Sequence, residues 1–389
     1  MSAGCIGDFL IVKGGKRLPK GSAFSESKTP HAYIRVTDFE RNSLNSERLK
    51  YISKEIHEKI HRYTIQSSDV YISIAGTIGV AGIIPHSLDG SNLTENAAKL
   101  APKEGVNIYP KYLSYFLNSP NTQSVIKSKT MAVGVPKLAI FRIKEIPINL
   151  PPLDKQKKIA DILDAADTCR QKTKALITKY DELTQSLFIN MFGDPVRNPM
   201  GWEKVPTIKY CDCIVPGRDK PKSFTGNLPW ITTGDLRYLG FMIKSRLNIG
   251  LSKDEISEVR AKIIPKNSVI MTCVGDLGVV SINTNDIVMN QQLHAFICHD
   301  ELNNVFLMHN LSYQTPYMNK MASSTTVPYM NKTVANNTPT IVPPIVLQNQ
   351  FAERVQAIES QKKQAQTSLV QSENLFNSLL QRAFKGELV

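Results

Sequence analysis

The chain has no C-x-x-C pair among its six cysteines, Cys5, Cys169, Cys211, Cys213, Cys273 and Cys298. The close thiol spacing of zinc and redox motifs is therefore missing, and all six are expected reduced, in the cytoplasm. No apolar run approaches transmembrane length, so no membrane partner is expected. The one apolar stretch at the N-terminus contains Asp8 and follows no positive charge, which is not a signal-peptide pattern. There is no G-x-x-x-x-G-K-[ST] loop, because the Gly15-Lys16 pair has Leu10 where the first glycine belongs. Gly76-x-x-Gly79 is too short for a dinucleotide fingerprint and reads as a turn. No Asn-Pro-Pro or Asp-Pro-Pro amino-methyltransferase motif occurs, since the Pro-Pro pairs follow Leu150 and Val342. These absences point away from catalysis on this chain.

At 389 residues and 42% hydrophobic, the chain is globular and long enough for two or three domains. The net charge of +13 is unevenly placed. Residues 1–150 hold 20 Lys and Arg against 12 Asp and Glu, and residues 193–342 hold 15 against 12. The remaining segments, 151–192 and 343–389, are near neutral at +1 each. A basic excess confined to the two larger segments favours a polyanionic partner, most often nucleic acid.

Residues 150–194 and 342–386 are two copies of one stretch. A shift of 192 carries Pro151-Pro152 to Pro343-Pro344, Gln156 to Gln348, Ala160 to Ala352, Leu187 to Leu379 and Phe192 to Phe384 without a gap. Each copy predicts one long helix, barred by Pro-Pro at its start and stopped by Gly193 or Gly386. In the first, Ile159, Ile162, Ala166, Cys169, Thr173, Leu176, Tyr180, Leu183 and Leu187 alternate spacings of three and four, an a/d seam. In the second, the seam runs through Val355, Ile358, Ala365, Leu369, Phe376, Leu379 and Ala383, interrupted by Lys362 and Ser372. A helix of about 40 residues spans roughly 60 Å. Two such units related by a two-fold axis would pair their helices antiparallel, with a domain at each end of a rod.

The segments before the helices repeat more loosely. Tyr33-Ile34-Arg35-Val36 leads to Asp38, as Trp230-Ile231-Thr232-Thr233 leads to Asp235. The strand Asp69 to Ile74 enters Ala75-Gly76-Thr77-Ile78-Gly79, as Ser268 to Met271 enters Cys273-Val274-Gly275-Asp276-Leu277-Gly278. Asn290-Gln291-Gln292 is matched to Asn96-Ala97-Ala98. The expected plan is α+β: a β-rich mixed domain over 1–150, a long helix over 151–192, a second such domain over 193–342 and a second long helix over 343–389.

That order, the P-P-L-D-K-Q-x-x-I-A-x-I-L helix start, the F-G-D-P exit, G-K-R-L-P-K-G and A-G-T-I-G resemble the DNA-specificity subunit of type I restriction-modification enzymes. The resemblance covers the whole chain and implies two target recognition domains, each reading half of a split double-stranded DNA sequence. It implies an antiparallel coiled coil that sets the spacer and holds two modification subunits. S-adenosylmethionine, ATP and Mg would belong to the modification and restriction/translocase partners, leaving this chain non-catalytic and without a cofactor or metal of its own. Two departures stand out: no tryptophan precedes the first domain as Trp202 precedes the second, and Val346-Leu347-Gln348 replaces Asp154-Lys155-Gln156. The alternative is a free-standing DNA-binding or adaptor protein on the same frame.

Within that resemblance, affinity comes from Lys and Arg on phosphates and specificity from side chains at base edges. The candidates in the first domain are Lys13, Lys16, Arg17 and Lys20 of a glycine-broken loop, with Arg35, Thr37 and Lys137. In the second they are Arg218, Lys220 and Lys222, with Thr232, Arg237 and Lys332. One competing motif remains. His57-Glu58-Lys59-Ile60-His61 matches the zincin pattern H-E-x-x-H. Its neighbours Lys54, Glu55 and Arg62 mark a solvated helix, the other repeat has no histidines there, and no third ligand follows. It is read as coincidence.

Overall fold

A computed structural model describes residues 2–130, 136–217, 219–323 and 327–388. Both long helices form, over Leu153–Phe192 and Ile345–Lys385. Each is punctuated as its sequence dictates. Gly193 and Gly386 follow the helices at φ +73° and +81°, a conformation open to glycine and costly for residues with a Cβ.

The chain divides into two compact units, residues 1–174 with 367–389 and residues 175–366. Each therefore combines one β-rich region with half of each long helix. The cuts after 174 and after 366 lie 192 residues apart, the same shift that superposes the helices.

In the first unit, Ser2–Cys5 pairs antiparallel with Pro147–Leu150, tying the start of the region to its end just before the helix. A four-stranded antiparallel sheet runs in the order Leu10–Gly14, Ala97–Pro102, Val70–Ser73, Ala81–Gly82. A second, mixed sheet orders Lys50–Tyr51, Ala32–Ile34, Ser91–Leu93 and Thr64–Ile65, with its two middle strands parallel. The helix Pro110–Asn118 packs into the core with Val70, Ile72, Leu100 and Ile148.

The second unit repeats the plan. Glu203–Pro206 pairs with Pro339–Val342. The larger sheet runs Cys211–Ile214, Leu293–Cys298, Val269–Thr272, Val280–Asn283, with Gly240–Met242 added as a fifth strand. The smaller sheet is Gly250–Leu251, Leu228–Ile231, Val288–Met289. The α+β class and the internal repeat are as the sequence implied.

Within each unit the two helix halves run antiparallel. In the first, Ile159, Ala160 and Leu163 share a core with Phe376, Leu380 and Ala383, and the Arg170 guanidinium lies 4.6 Å from the Phe376 ring centroid. In the second, Phe188 and Phe192 meet Phe351 at 5.4 and 5.5 Å between ring centroids, and Lys362 pairs with Asp181.

The second seam is mostly turned inward. Val355, Ala365, Phe376 and Ala383 are buried, with Ile358, Leu369 and Leu379 half-buried. The first seam requires correction. Ile159 is buried, and Ala166, Tyr180 and Leu187 are half-buried. Ile162, Leu176 and Leu183 are 38%, 42% and 50% exposed, and Cys169 is exposed too. The inner line instead runs through Leu163, Arg170, Ile177 and Thr184. Each of these is one residue further on, a rotation of about 100°. Polar Arg170 and Thr184 disguise the true line, while the apolar residues beside them face solvent.

The repeated spacing between Pro-Pro and glutamine also has a structural reason. The buried Gln156 amide accepts from Tyr109 N–H at 2.8 Å and donates to the Asn107 and Pro151 carbonyls. Gln348 does the same with Asn303 N–H and the Glu301 and Pro343 carbonyls. In each unit one side chain fastens the first helical turn to the loop of its own β-rich region. Apolar residues there would leave three backbone groups without partners.

Candidate nucleic-acid interface

The basic loop of the first unit is held rigidly at its base. Beyond the strand Leu10–Gly14, Gly15 N–H donates to the Ala97 carbonyl and Lys16 N–H to the Leu93 carbonyl. A Cβ on Gly15 would lie 2.1 Å from the Thr94 carbonyl oxygen, so glycine is required. The Tyr33 hydroxyl donates to the Lys16 carbonyl at 2.7 Å. Leu18 packs beside Tyr33, Ile52, Ile56 and Ile60. Lys13, Lys16, Arg17 and Lys20 are displayed from this anchored backbone, all exposed. Lys16 Nζ sits 5.6 Å from the Tyr63 ring centroid, and Arg17 pairs with Glu95 at 2.7 Å. Burial alone would raise the Glu95 pKa; the hydrogen bonds from Arg17, a backbone N–H and Thr94, with the Arg17 charge, together reverse this and hold it below the ordinary carboxylate value.

Not every candidate is free. Arg35 gives Nε and Nη2 to both Asp38 oxygens and Nη2 to the Arg48 carbonyl. It buttresses the turn Val36–Asp38, with its side chain 26% exposed. Thr232 likewise spends both its N–H and its hydroxyl on Asp235, at 2.8 Å each. Thr37 and Arg237 are exposed beside these two turns. Lys137 is exposed where residue 137 bridges Ala75, next to the Gly76 turn. Lys332 opens the short helix Lys332–Asn336, exposed.

In the second unit Arg218 lies outside the described residues. Lys220 and Lys222 are exposed, with Lys222 Nζ 3.4 Å from Glu258. The far end of that loop is fixed by Glu255, which accepts from the Ser223 hydroxyl and the Thr225 N–H. The Ser223 hydrogen bond leads in drawing its pKa down to about 2. Behind the loop is a cavity of about 440 Å³ lined by Phe224, Trp230, Met289 and Gln291 among others.

Hydrogen bonding corrects one correspondence. Thr94 N–H reaches the Ile34 carbonyl as Asn290 N–H reaches that of Ile231. Ile74 N–H reaches Asn96 as Cys273 N–H reaches Gln292. Asn290-Gln291-Gln292 thus stands where Thr94-Glu95-Asn96 stands, two residues from the sequence match. Glu95 and Gln291, neither of them a contact candidate from the sequence, occupy one position beside the two basic loops.

The H-E-x-x-H residues are not arranged as a site. The helix Lys54–Ile60 ends before His61, whose Nδ1 meets the Glu58 carbonyl. His57 Nδ1 meets Asn92 Oδ1 at 2.7 Å, and its ring stacks on His31. Among the described residues no three His, Cys, Asp or Glu side chains gather as metal ligands, and none of the described helices is long and apolar enough to cross a membrane.

Comparison with known proteins agrees with this architecture. The model of the type I restriction modification DNA specificity domain matches residues 2–181 and 215–369. The chain is 25% identical over 163 residues to the EcoBI specificity subunit of Escherichia coli, covering 41% of this chain and 34% of that protein. It is 30% identical over 168 residues to the MjaVIII specificity subunit of Methanocaldococcus jannaschii, covering 42% and 35%. The match thus spans about a third of the length of these two curated relatives. Over 321 residues it is 24% identical to the HindI specificity subunit of Haemophilus influenzae, covering 62% and 69%. Its fold resembles the type I restriction-modification S subunit of M. genitalium at 15% identity and TM-score 0.60, over 98% of this chain and 96% of that one. The family model covers most of the sequence, in two segments that each take in a basic loop and a long-helix start, and this chain belongs to the type I restriction modification DNA specificity domain family.

Proposed function

We propose that the chain is the non-catalytic specificity subunit of a type I restriction-modification complex. It binds a split double-stranded DNA sequence, one half through each recognition domain, residues 1–150 and 193–342. The long helices, within 151–192 and 343–389, set the spacer and dock two modification subunits, and restriction/translocase subunits join through the complex. S-adenosylmethionine, ATP and Mg are bound by those partners, in the cytoplasm. The observation that carries this reading is a frame repeated without a gap under basic loops that differ, which suits common partners and two separate targets.

Exchange of residues 200–335 for the matching segment of a related subunit tests it. In a host expressing the complete system, the methylated motif should change in one half and keep the other half and the spacing. Simultaneous loss of both halves would show that the domains do not read independently. Failure to co-purify with a methyltransferase would favour a free-standing DNA-binding protein.

A further inference from the structure

Arg17 differs from the lysines of its loop in how it is held. Its Nε donates to Glu95 Oε1 at 2.7 Å, while the side chain remains 79% exposed. No other hydrogen-bond or ion-pair partner of its guanidinium is found among the described residues. Glu95 is itself fixed. It accepts from the Thr94 hydroxyl at 3.0 Å and lies 3.5 Å from the Tyr33 hydroxyl. On either side of Arg17 the backbone is anchored by the Tyr33–Lys16 hydrogen bond and by Leu18 in its apolar cluster.

The planar fork is therefore gripped through its Nε edge and presents its two terminal amino groups outward. That outer pair matches the O6 and N7 acceptors of guanine in the major groove. A phosphate contact needs only charge, which Lys13, Lys16 and Lys20 already supply. We propose that Arg17 reads a guanine in the half-site bound by the first domain, with Glu95 as its positioning residue. This rests on the reading of the chain as a DNA-specificity subunit.

The second repeat lacks the carboxylate. Gln291 occupies the Glu95 position, Trp230 stands in the place of Tyr33, and the buried Gln291 Nε2 has no partner among the described residues. A neutral amide offers no ion pair to grip an arginine. The device is therefore assigned to one half-site only.

The test combines methylome sequencing with binding. The complete system is expressed with the wild-type chain, Arg17→Ala or Glu95→Gln, and the motif of each is read. Purified complexes are then titrated with duplexes in which each guanine of the motif is replaced in turn by 7-deazaguanine, which lacks the N7 acceptor, or by hypoxanthine, which keeps O6 and N7. One guanine should emerge whose 7-deaza replacement weakens wild-type binding about ten- to hundredfold, the range of a good bidentate pair. Hypoxanthine there should bind like guanine. Arg17→Ala should be indifferent to that position, and Glu95→Gln should keep a reduced preference with an unchanged salt dependence. Both variants should melt like the wild type.

A uniform loss across sequences on Arg17→Ala, with a salt slope lowered by about one, would identify a phosphate contact and overturn the proposal. So would a motif without guanine, or one unchanged by both variants. Absence of any bipartite motif from the wild-type system would instead remove the specificity-subunit reading, and this inference with it.

Discussion

Acidification from pH 7.5 to pH 5 should cost the unit formed by residues 175–366 about 4 kcal/mol of stability, through two histidines that fold neutral. His309 is buried against Phe188 and Phe351, and neither ring nitrogen has a hydrogen-bond partner among the described residues. Desolvation pushes its pKa down to about 3. His294 is buried in the strand Leu293–Cys298, and desolvation with Lys332 nearby pushes it down to about 4. An unfolded histidine titrates near 6.5, so the unfolded chain binds more protons than the folded one throughout the interval below that value. Stability is therefore complete above about pH 6.5 and falls as pH drops towards the folded values. At pH 5 each site lies about 1.5 units into the window, which is about 2 kcal/mol apiece at 1.36 kcal/mol per unit.

Both tryptophans, Trp202 and Trp230, belong to this unit. Urea denaturation followed by their emission therefore reports on it without the other. His309→Phe keeps a ring among its aromatic neighbours and removes one titrating group, so it should recover about half of the loss at pH 5. An identical stability at pH 7.5 and pH 5 would show that these rings find proton acceptors on folding.

The long helices are legible because a 192-residue shift without a gap is a strong signal and Pro-Pro and Gly bound each copy. Periodicity places one of the two lines of the first copy's seam one residue off, yet the means of correction lies in the same comparison. Val355, Ile358, Phe376 and Leu379 carried back by 192 give Leu163, Ala166, Thr184 and Leu187. Spacings of three and four fit either phase of a heptad, and apolar Ile162, Leu176 and Leu183 outweigh polar Arg170 and Thr184 in the pattern. The larger partner Phe376 and a guanidinium lying over it fill that side of the first unit's seam, a pairing that periodicity along one helix does not contain.

The site is legible as loops and not as contacts. Gly14-Gly15 and the lysines mark the first loop, and the strand does exit through Gly15. Whether an arginine there is displayed or spent depends on which carboxylate the fold brings beside it. Arg35 meets Asp38 three residues away and is consumed, whereas Arg17 meets Glu95 across 78 residues and is aimed. Local spacing is enough to suspect Asp38. It is not enough for Glu95, because the pairing that places it runs through the sheet formed by Leu10–Gly14 and Ala97–Pro102.

Lengthening the two long helices together should change the spacer of the recognised sequence and nothing else. The helix Leu153–Phe192 contributes to both units, and the division after Lys174 falls within it. The last helix contact described for the first unit is Arg170 with Phe376, and in the second Lys362 meets Asp181. Four residues inserted after Thr173, and four at the equivalent point after Ala365, leave those contacts within their own units. Four residues are close to one turn, add about 6 Å of rise and rotate the rest of the helix by only about 40°. At about 3.4 Å per base pair, the methylated motif should gain one or two bases in its spacer with both halves unchanged. Insertion of two residues at each point instead rotates the next turn by about 200° and turns the buried line outward, so methylation should be lost. Methylome sequencing of the two insertion variants reads both outcomes, and a motif whose bases change while its spacing holds would rule out the helices as the spacer.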